Sequence, residues 1–121
     1  MKKPVLADTS VWIRHLRSGD QDLIKLLNEG AVTCSPFVIG ELACGNLKNR
    51  KTILNLLQAL PEAPSPENNE ILTFIEAKHL MGKGLGYVDV CLLAAALISG
   101  SRLWTLDAKL KEAAEKLGIS Y

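Results

Sequence analysis

Val5-Leu6-Ala7-Asp8-Thr9-Ser10 is the stretch that decides the fold. Three apolar residues run straight into three residues that favour helix starts, so the segment reads as a buried strand feeding a helix. Outward from it, Val11 to Leu16 predicts a short helix and Ser18-Gly19-Asp20 a turn. Asp20 then caps a second helix, where Leu23, Ile24 and Leu27 recur at helical spacing and Gly30 stops it. Ala31 to Cys34 is a second strand, and Ser35-Pro36 opens a helix running to about Gly45-Asn46. A further helix covers about Lys51 to Leu60, with Ile53, Leu56, Leu57 and Leu60 on one face. Pro61 to Pro66 is a loop with room for a short edge strand.

Helix resumes from about Glu67 to Met81, and Gly82-Lys83-Gly84-Leu85-Gly86 is a loop. Val88 to Ser99 is apolar almost all round, which predicts a central buried helix. Arg102 to Thr105 is a strand, Asp107 to Leu117 a last helix, and Ile119 to Tyr121 a final short strand. Strands alternating with helices predict an α/β fold: a short parallel β-sheet flanked by about six or seven α-helices, in one domain over residues 1–121. Chemistry in such folds gathers at the carboxyl ends of the strands.

Composition narrows the function. The 121 residues carry 14 Lys+Arg against 13 Asp+Glu, a net charge of +1, with 48% hydrophobic and 22% charged residues. That excludes a strongly basic nucleic-acid coat and an acidic disordered tail. It leaves room for a nucleic-acid enzyme with a local basic rim. Cys34, Cys44 and Cys91 are odd in number and fit no metal spacing, so they read as buried reduced thiols. Lys2 and Lys3 resemble the start of a leader, but Asp8 and Arg14 interrupt the apolar run that should follow. No window approaches a membrane span, and the expected compartment is the cytoplasm.

Four acids stand out from those on polar helix faces. Asp8 and Asp107 follow strands and begin helices, where an N-cap is the ordinary explanation. Asp89 sits in the first turn of the most apolar helix, where the macrodipole favours an acid. Glu41 lies four residues after Phe37 and three after Val38, which places it on an apolar stripe where a lone charge is costly. In a parallel sheet, strand ends and the following helix starts share one edge, so the four can converge. Clustered carboxylates repel unless a cation compensates. With no Cys or His pattern beside them, oxygen ligands select Mg²⁺ or Mn²⁺ over zinc, which suits phosphoryl chemistry.

Asp8-Thr9-Ser10, Glu41-Leu42, Gly86-Tyr87-Val88-Asp89 leading into Leu92 to Ala96, and Thr105-Leu106-Asp107 together resemble the motifs of the PIN-domain family. The compact form is similar to the VapC-type toxins of bacterial and archaeal toxin–antitoxin pairs, over Val5 to about Tyr121. The resemblance implies a PIN-like domain and a Mg²⁺- or Mn²⁺-dependent endoribonuclease leaving 5′-phosphate and 3′-hydroxyl ends. It implies Asp8, Glu41, Asp89 and Asp107 as catalytic and metal-holding acids, with Asp8 and Asp89 at the centre. Thr9, Ser10 and Thr105 match neighbouring hydroxyl positions, and Ser10 and Thr105 take supporting roles. An RNA substrate, a cognate antitoxin covering the acidic site, and a homodimer are implied as partners. Leu106 and Leu110 depart from the family pattern, and the last strand is very short.

Other constellations read plainly. His15 and His79 belong to no metal motif, and the 82–86 loop lacks the P-loop pattern. Arg14 with Arg17, and Lys48 with Arg50 and Lys51, are candidate RNA-rim groups against a default of solvated surface. Trp12 and Trp104 read as core. Two other functions stay open: a non-catalytic RNA- or protein-interaction module of the same fold, and another Mg²⁺-dependent phosphohydrolase. The second is opposed by the lack of an Asp-x-Asp pair at Asp8-Thr9-Ser10.

Overall fold

The computed structural model describes residues 3–121. Lys2, weighed above as part of a leader, lies outside the described residues. Strand β1 (Val5–Ala7) is fully buried and leads into α1 (Thr9–Ser18), with α2 (Gln21–Asn28) behind it. Then come β2 (Val32–Thr33), α3 (Pro36–Ala43), α4 (Arg50–Gln58), α5 (Asn68–Lys78), α6 (Tyr87–Ser99), β3 (Arg102–Trp104) and α7 (Ala108–Lys116). The architecture is α/β, a three-stranded parallel sheet with seven helices, as the alternating pattern predicts.

The sheet order is β2-β1-β3. Val5 pairs with Val32 and Arg102, Leu6 with Thr33 and Leu103, and Ala7 with Trp104. The first strand is therefore the central one. The chain leaves it to build β2 on one side and later returns to build β3 on the other, so the sheet's topological switch lies at the carboxyl end of β1. Open α/β sheets form their ligand crevice at such a point. Asp8 is the residue there, and its N–H still donates to Trp104 O at 2.9 Å.

Local signals act as read. Asp8 caps α1 through Val11 N–H, Asp20 caps α2 through Leu23 N–H, and Ser35 caps α3 through Phe37 N–H with Pro36 in the first turn. The strand expected near Pro61–Pro66 is a single parallel bridge from Glu62 to Cys34, and the expected last strand is one bridge from Ser120 to Leu103. Trp12 and Trp104 are buried, and the core runs through Leu6, Val11, Leu23, Val38, Ile71, Leu93, Leu103 and Leu110.

Four expectations are corrected. Helix α6 is buried over Val90–Ala96, but its last turn emerges, with Ile98 64% exposed. The small Ala94-Ala95-Ala96 run packs close to the sheet, and the helix then outruns the three short strands. Cys34 and Cys91 are buried, but Cys44 is exposed because it caps the C-terminus of α3 at the surface. Leu56 is 61% exposed, so the apolar face of α4 is narrower than the spacing suggests; Leu57 alone is fully buried in that helix. Glu41 is exposed, not embedded in an apolar stripe; the buried residues of α3 are Val38 and Leu42. An eight-residue helix needs only one narrow line of contact, and Glu41 falls beside it.

Candidate active site

Asp8 is 6% exposed, and donors surround its carboxylate. Ser10 Oγ donates to Oδ1 at 2.5 Å, Val11 N–H to the same oxygen at 3.3 Å, and Thr105 Oγ1 to Oδ2 at 2.6 Å. Both hydroxyls are themselves oriented: Leu106 N–H donates to Ser10 Oγ at 3.0 Å, and Asp107 N–H to Thr105 Oγ1 at 3.0 Å. Each hydroxyl accepts from an amide and so turns its own proton to Asp8. Charge-assisted hydrogen bonds of this kind offset the cost of burying a carboxylate. They also tie the β1–α1 junction to the β3–α7 turn, 97 residues apart in sequence.

Glu41 and Asp107 border this network, and Asp89 lies in the first turn of α6. Glu41 Oε1 accepts from Thr9 Oγ1 at 2.6 Å, which anchors α3 to the residue next to Asp8. This contact is one the sequence reading does not foresee, because Thr9 and Glu41 lie 32 residues apart. Asp89 is half-buried and accepts from Gly86 N–H at 2.9 Å. Asp107 is exposed and caps α7, its Oδ1 accepting from Lys109 N–H at 2.9 Å and Leu110 N–H at 3.0 Å. The ordinary capping explanation thus holds for Asp107 as geometry. Its backbone N–H, not its carboxylate, reaches the Asp8 network.

Asp8, Ser10, Thr105 and the Asp107 backbone are joined directly; Glu41 is bound to Thr9, the chain neighbour of Asp8, and Asp89 shares no hydrogen bond with them, its partner being Gly86 N–H. Among the described residues no three His, Cys, Asp or Glu side chains come together as a metal-holding group. The expected four-acid cage is therefore not assembled in this arrangement, since each carboxylate is satisfied by its own neighbouring donors. The donor chemistry nevertheless fits a hard cation. Mg²⁺ keeps several waters and commonly takes only one or two carboxylates plus substrate phosphates, and every candidate donor here is an oxygen.

Helix polarity supplies the electrostatic frame. Asp8 and Asp107 are N-caps of α1 and α7, and Asp89 lies in the first turn of α6. Three positive dipole ends thus stand at three of the acids, which eases their burial and favours an incoming anion. Beside Glu41, a cleft of about 620 Å³ opens between α1, α3 and the start of α4, with Ile13, Leu16, Leu47 and Ile53 as apolar wall and Arg17 and Lys48 at the side. Two of the proposed rim cations have internal partners: Arg14 pairs with Asp20 at 2.6 Å, and Arg50 donates to the carbonyls of Ala43 and Gly45.

Comparison with known proteins agrees with this topology and these motifs. The family model described as PIN domain matches residues 5–116. Ribonuclease VapC32 of Mycobacterium tuberculosis, in strains CDC 1551 / Oshkosh and ATCC 25618 / H37Rv, is 44% identical over 117 residues, covering 96% of this chain and 94% of the relative. The crystal structure of PAE2754 from Pyrobaculum aerophilum superposes with a TM-score of 0.62 at 17% identity, over 95% of this chain and 86% of that one. At that identity the likeness is one of fold. The family match starts at the first residue of β1 and ends at the last residue of α7, so it spans the whole sheet and all four acids; this chain belongs to the PIN-domain family.

Proposed function

We propose that this chain is a VapC-type endoribonuclease, dependent on a divalent cation, that acts as one catalytic domain in the cytoplasm. One observation carries the reading: a buried, doubly hydroxyl-held Asp8 at the sheet's switch point, in a chain 44% identical to relatives named as ribonucleases. In the proposed roles Asp8 and Asp89 are the principal ligands for Mg²⁺ or Mn²⁺, with Glu41 and Asp107 completing the acidic edge. When bound, the cation supplies a lowered pKa for water and charge compensation at the scissile phosphate.

The chain's own residues do the positioning. Ser10 and Thr105 hold the Asp8 carboxylate through one oxygen each and Val11 N–H fills the second site on Oδ1, leaving one lone pair on Oδ2 for the crevice. Thr9 fixes Glu41 against the same edge. The N-termini of α1, α6 and α7 stabilise anionic charge on the RNA phosphate. A cognate antitoxin is the proposed partner, its segment covering the acidic edge and the cleft beside Glu41. A homodimer is proposed through the exposed apolar ends of α5 and α6, where Leu72 and Ile98 stand 53% and 64% exposed.

The test is incubation of the purified chain with a panel of structured RNAs and Mg²⁺ or Mn²⁺, with Asp8→Asn as control. Cleavage should fall about 100-fold or more in the control and stop with chelator. Cleavage that persists undiminished in Asp8→Asn, or is absent across the panel, overturns the proposal. The separation of the acids favours one second reading, a PIN-fold module that binds RNA without cutting it. Calorimetric titration with Mn²⁺ separates the two, since that module predicts no binding by the acids.

A further inference from the structure

A second charged feature lies where the end of α5 and the following loop meet α7. Lys78 at the end of α5, Lys83 in the following loop, and Lys109 and Lys116 on α7 line one cleft of about 260 Å³, floored by Leu80, with Glu112 its only acid. Lys109 and Lys116 are seven residues apart, two helical turns, so they share a face and span about 10 Å of α7. Among the described residues the ion pairs are Arg14–Asp20 and Lys116–Glu112. The latter is 3.4 Å long between side chains 62% and 69% exposed, and such pairs neutralise little. Three lysines of the cleft therefore carry charge with no carboxylate partner.

Lys78 and Lys116 sit in last turns of helices, where the macrodipole alone accounts for a cation. Lys109 does not: it stands in the first turn of α7, the end that disfavours positive charge. Its side chain lies over Gly84, where an added Cβ would come within 2.7 Å of Lys109 Cδ and Nζ, and where φ is +75°. Gly84 holds a left-handed backbone that other residues rarely adopt, and the flexible end of Lys109 rests against it. Lys109, which lines the cleft, stands two residues after Asp107, and its N–H donates to Asp107 Oδ1.

We propose that this lysine cleft is the track for the phosphate backbone of a single-stranded RNA segment leading into the acidic edge. The inference rests on the RNA reading above and adds where the substrate lies. A line of four lysines, three without a carboxylate partner among the described residues, in a narrow cleft fits a linear polyphosphate chain, whose backbone such grooves follow without reading sequence.

The experiment uses the full chain with Asp8→Asn, which leaves RNA intact, and a labelled single-stranded RNA oligonucleotide followed by fluorescence anisotropy over about 50–300 mM salt. Adding Lys78→Gln, Lys83→Gln and Lys116→Gln together should raise Kd about tenfold or more at low salt. It should also flatten the log–log salt slope by about 2, at ~0.7 per lost phosphate contact. Lys83→Gln alone, on a loop outside any helix, should flatten it by ~0.7 and serves if the triple variant melts early. Lys25→Gln, on the exposed face of α2, should leave Kd and slope as they were.

Unchanged Kd and slope in the lysine variants overturn the proposal, as does a loss in the Lys25 variant equal to that in Lys83→Gln. So does a triple variant that keeps its RNA affinity but loses an acidic peptide. Cleavage by the unsubstituted chain is scored separately. Cutting without lysine-dependent binding overturns the cleft alone, and lysine-dependent binding without cutting overturns the nuclease and supports the cleft.

Discussion

Thr105 shows how much one hydroxyl can decide. It donates to Asp8 Oδ2, accepts from Asp107 N–H, and is 6% exposed. Thr105→Val keeps the shape and removes both bonds, leaving a buried carboxylate oxygen and an amide without partners. The expected loss is about 1–3 kcal/mol, read by urea unfolding at neutral pH, with RNA cleavage falling in parallel. Thr105→Ser should restore both; full activity in the Val variant would remove Thr105 from the positioning of Asp8.

The cysteines allow a second test at this scale. Burial pushes the Cys34 thiol up to about 11 and raises Cys91 as well, while Cys44 is exposed. Because the thiolate is the reactive form, an alkylating reagent at neutral pH should label Cys44 alone in the folded protein and all three in denaturant, read by mass spectrometry. Labelling of Cys34 without denaturant would contradict the burial found here.

At the scale of elements, caps and one buried helix carry the fold. Asp20 caps α2 and pairs with Arg14; the Leu23 N–H, and then Arg14, hold its carboxyl below the usual carboxylate range. The depressed value means that its contribution to stability is present above the unfolded-state pKa of 3.8 and is lost as pH falls through the folded value. Asp20→Asn, still a good N-cap, should therefore reduce the fall in melting temperature between neutral pH and about pH 3. An unchanged pH profile would show that the acid-sensitive stability resides elsewhere.

Helix α6 packs on β3 and brings Asp89 to the edge, and Leu93 in its middle is fully buried. Leu93→Ala should cost about 2–5 kcal/mol, seen as an earlier denaturant midpoint with the slope unchanged. The exposed last turn of this helix explains why an unbroken apolar run misleads: the run records what one end buries and what the other leaves for solvent or a partner.

Across the whole molecule, charge is sorted. The sum of 14 basic against 13 acidic residues hides an edge where Asp8 is buried with Glu41 held by its neighbour Thr9, and a cleft where lysines gather. A cation bound at that edge stabilises the folded state by mass action. The melting temperature should therefore rise with Mn²⁺ concentration, and the rise should vanish in Asp8→Asn. A rise that survives the substitution would place cation binding away from Asp8.

Sequence by itself determined the alternation of strands and helices and the caps at Asp8, Asp20 and Ser35. Those are properties of neighbouring residues, and apolar runs, turn residues and capping side chains act over a few positions. Tertiary structure alone decided that Glu41 is exposed and held by Thr9, that Asp107 spends its carboxylate on α7 while its amide orients the Thr105 hydroxyl, and that the acids form no three-membered cluster among the described residues. It alone placed Lys78 and Lys83 opposite Lys109 and Lys116. These contacts join segments tens of residues apart, and their register depends on how three short parallel strands align, which no local pattern encodes.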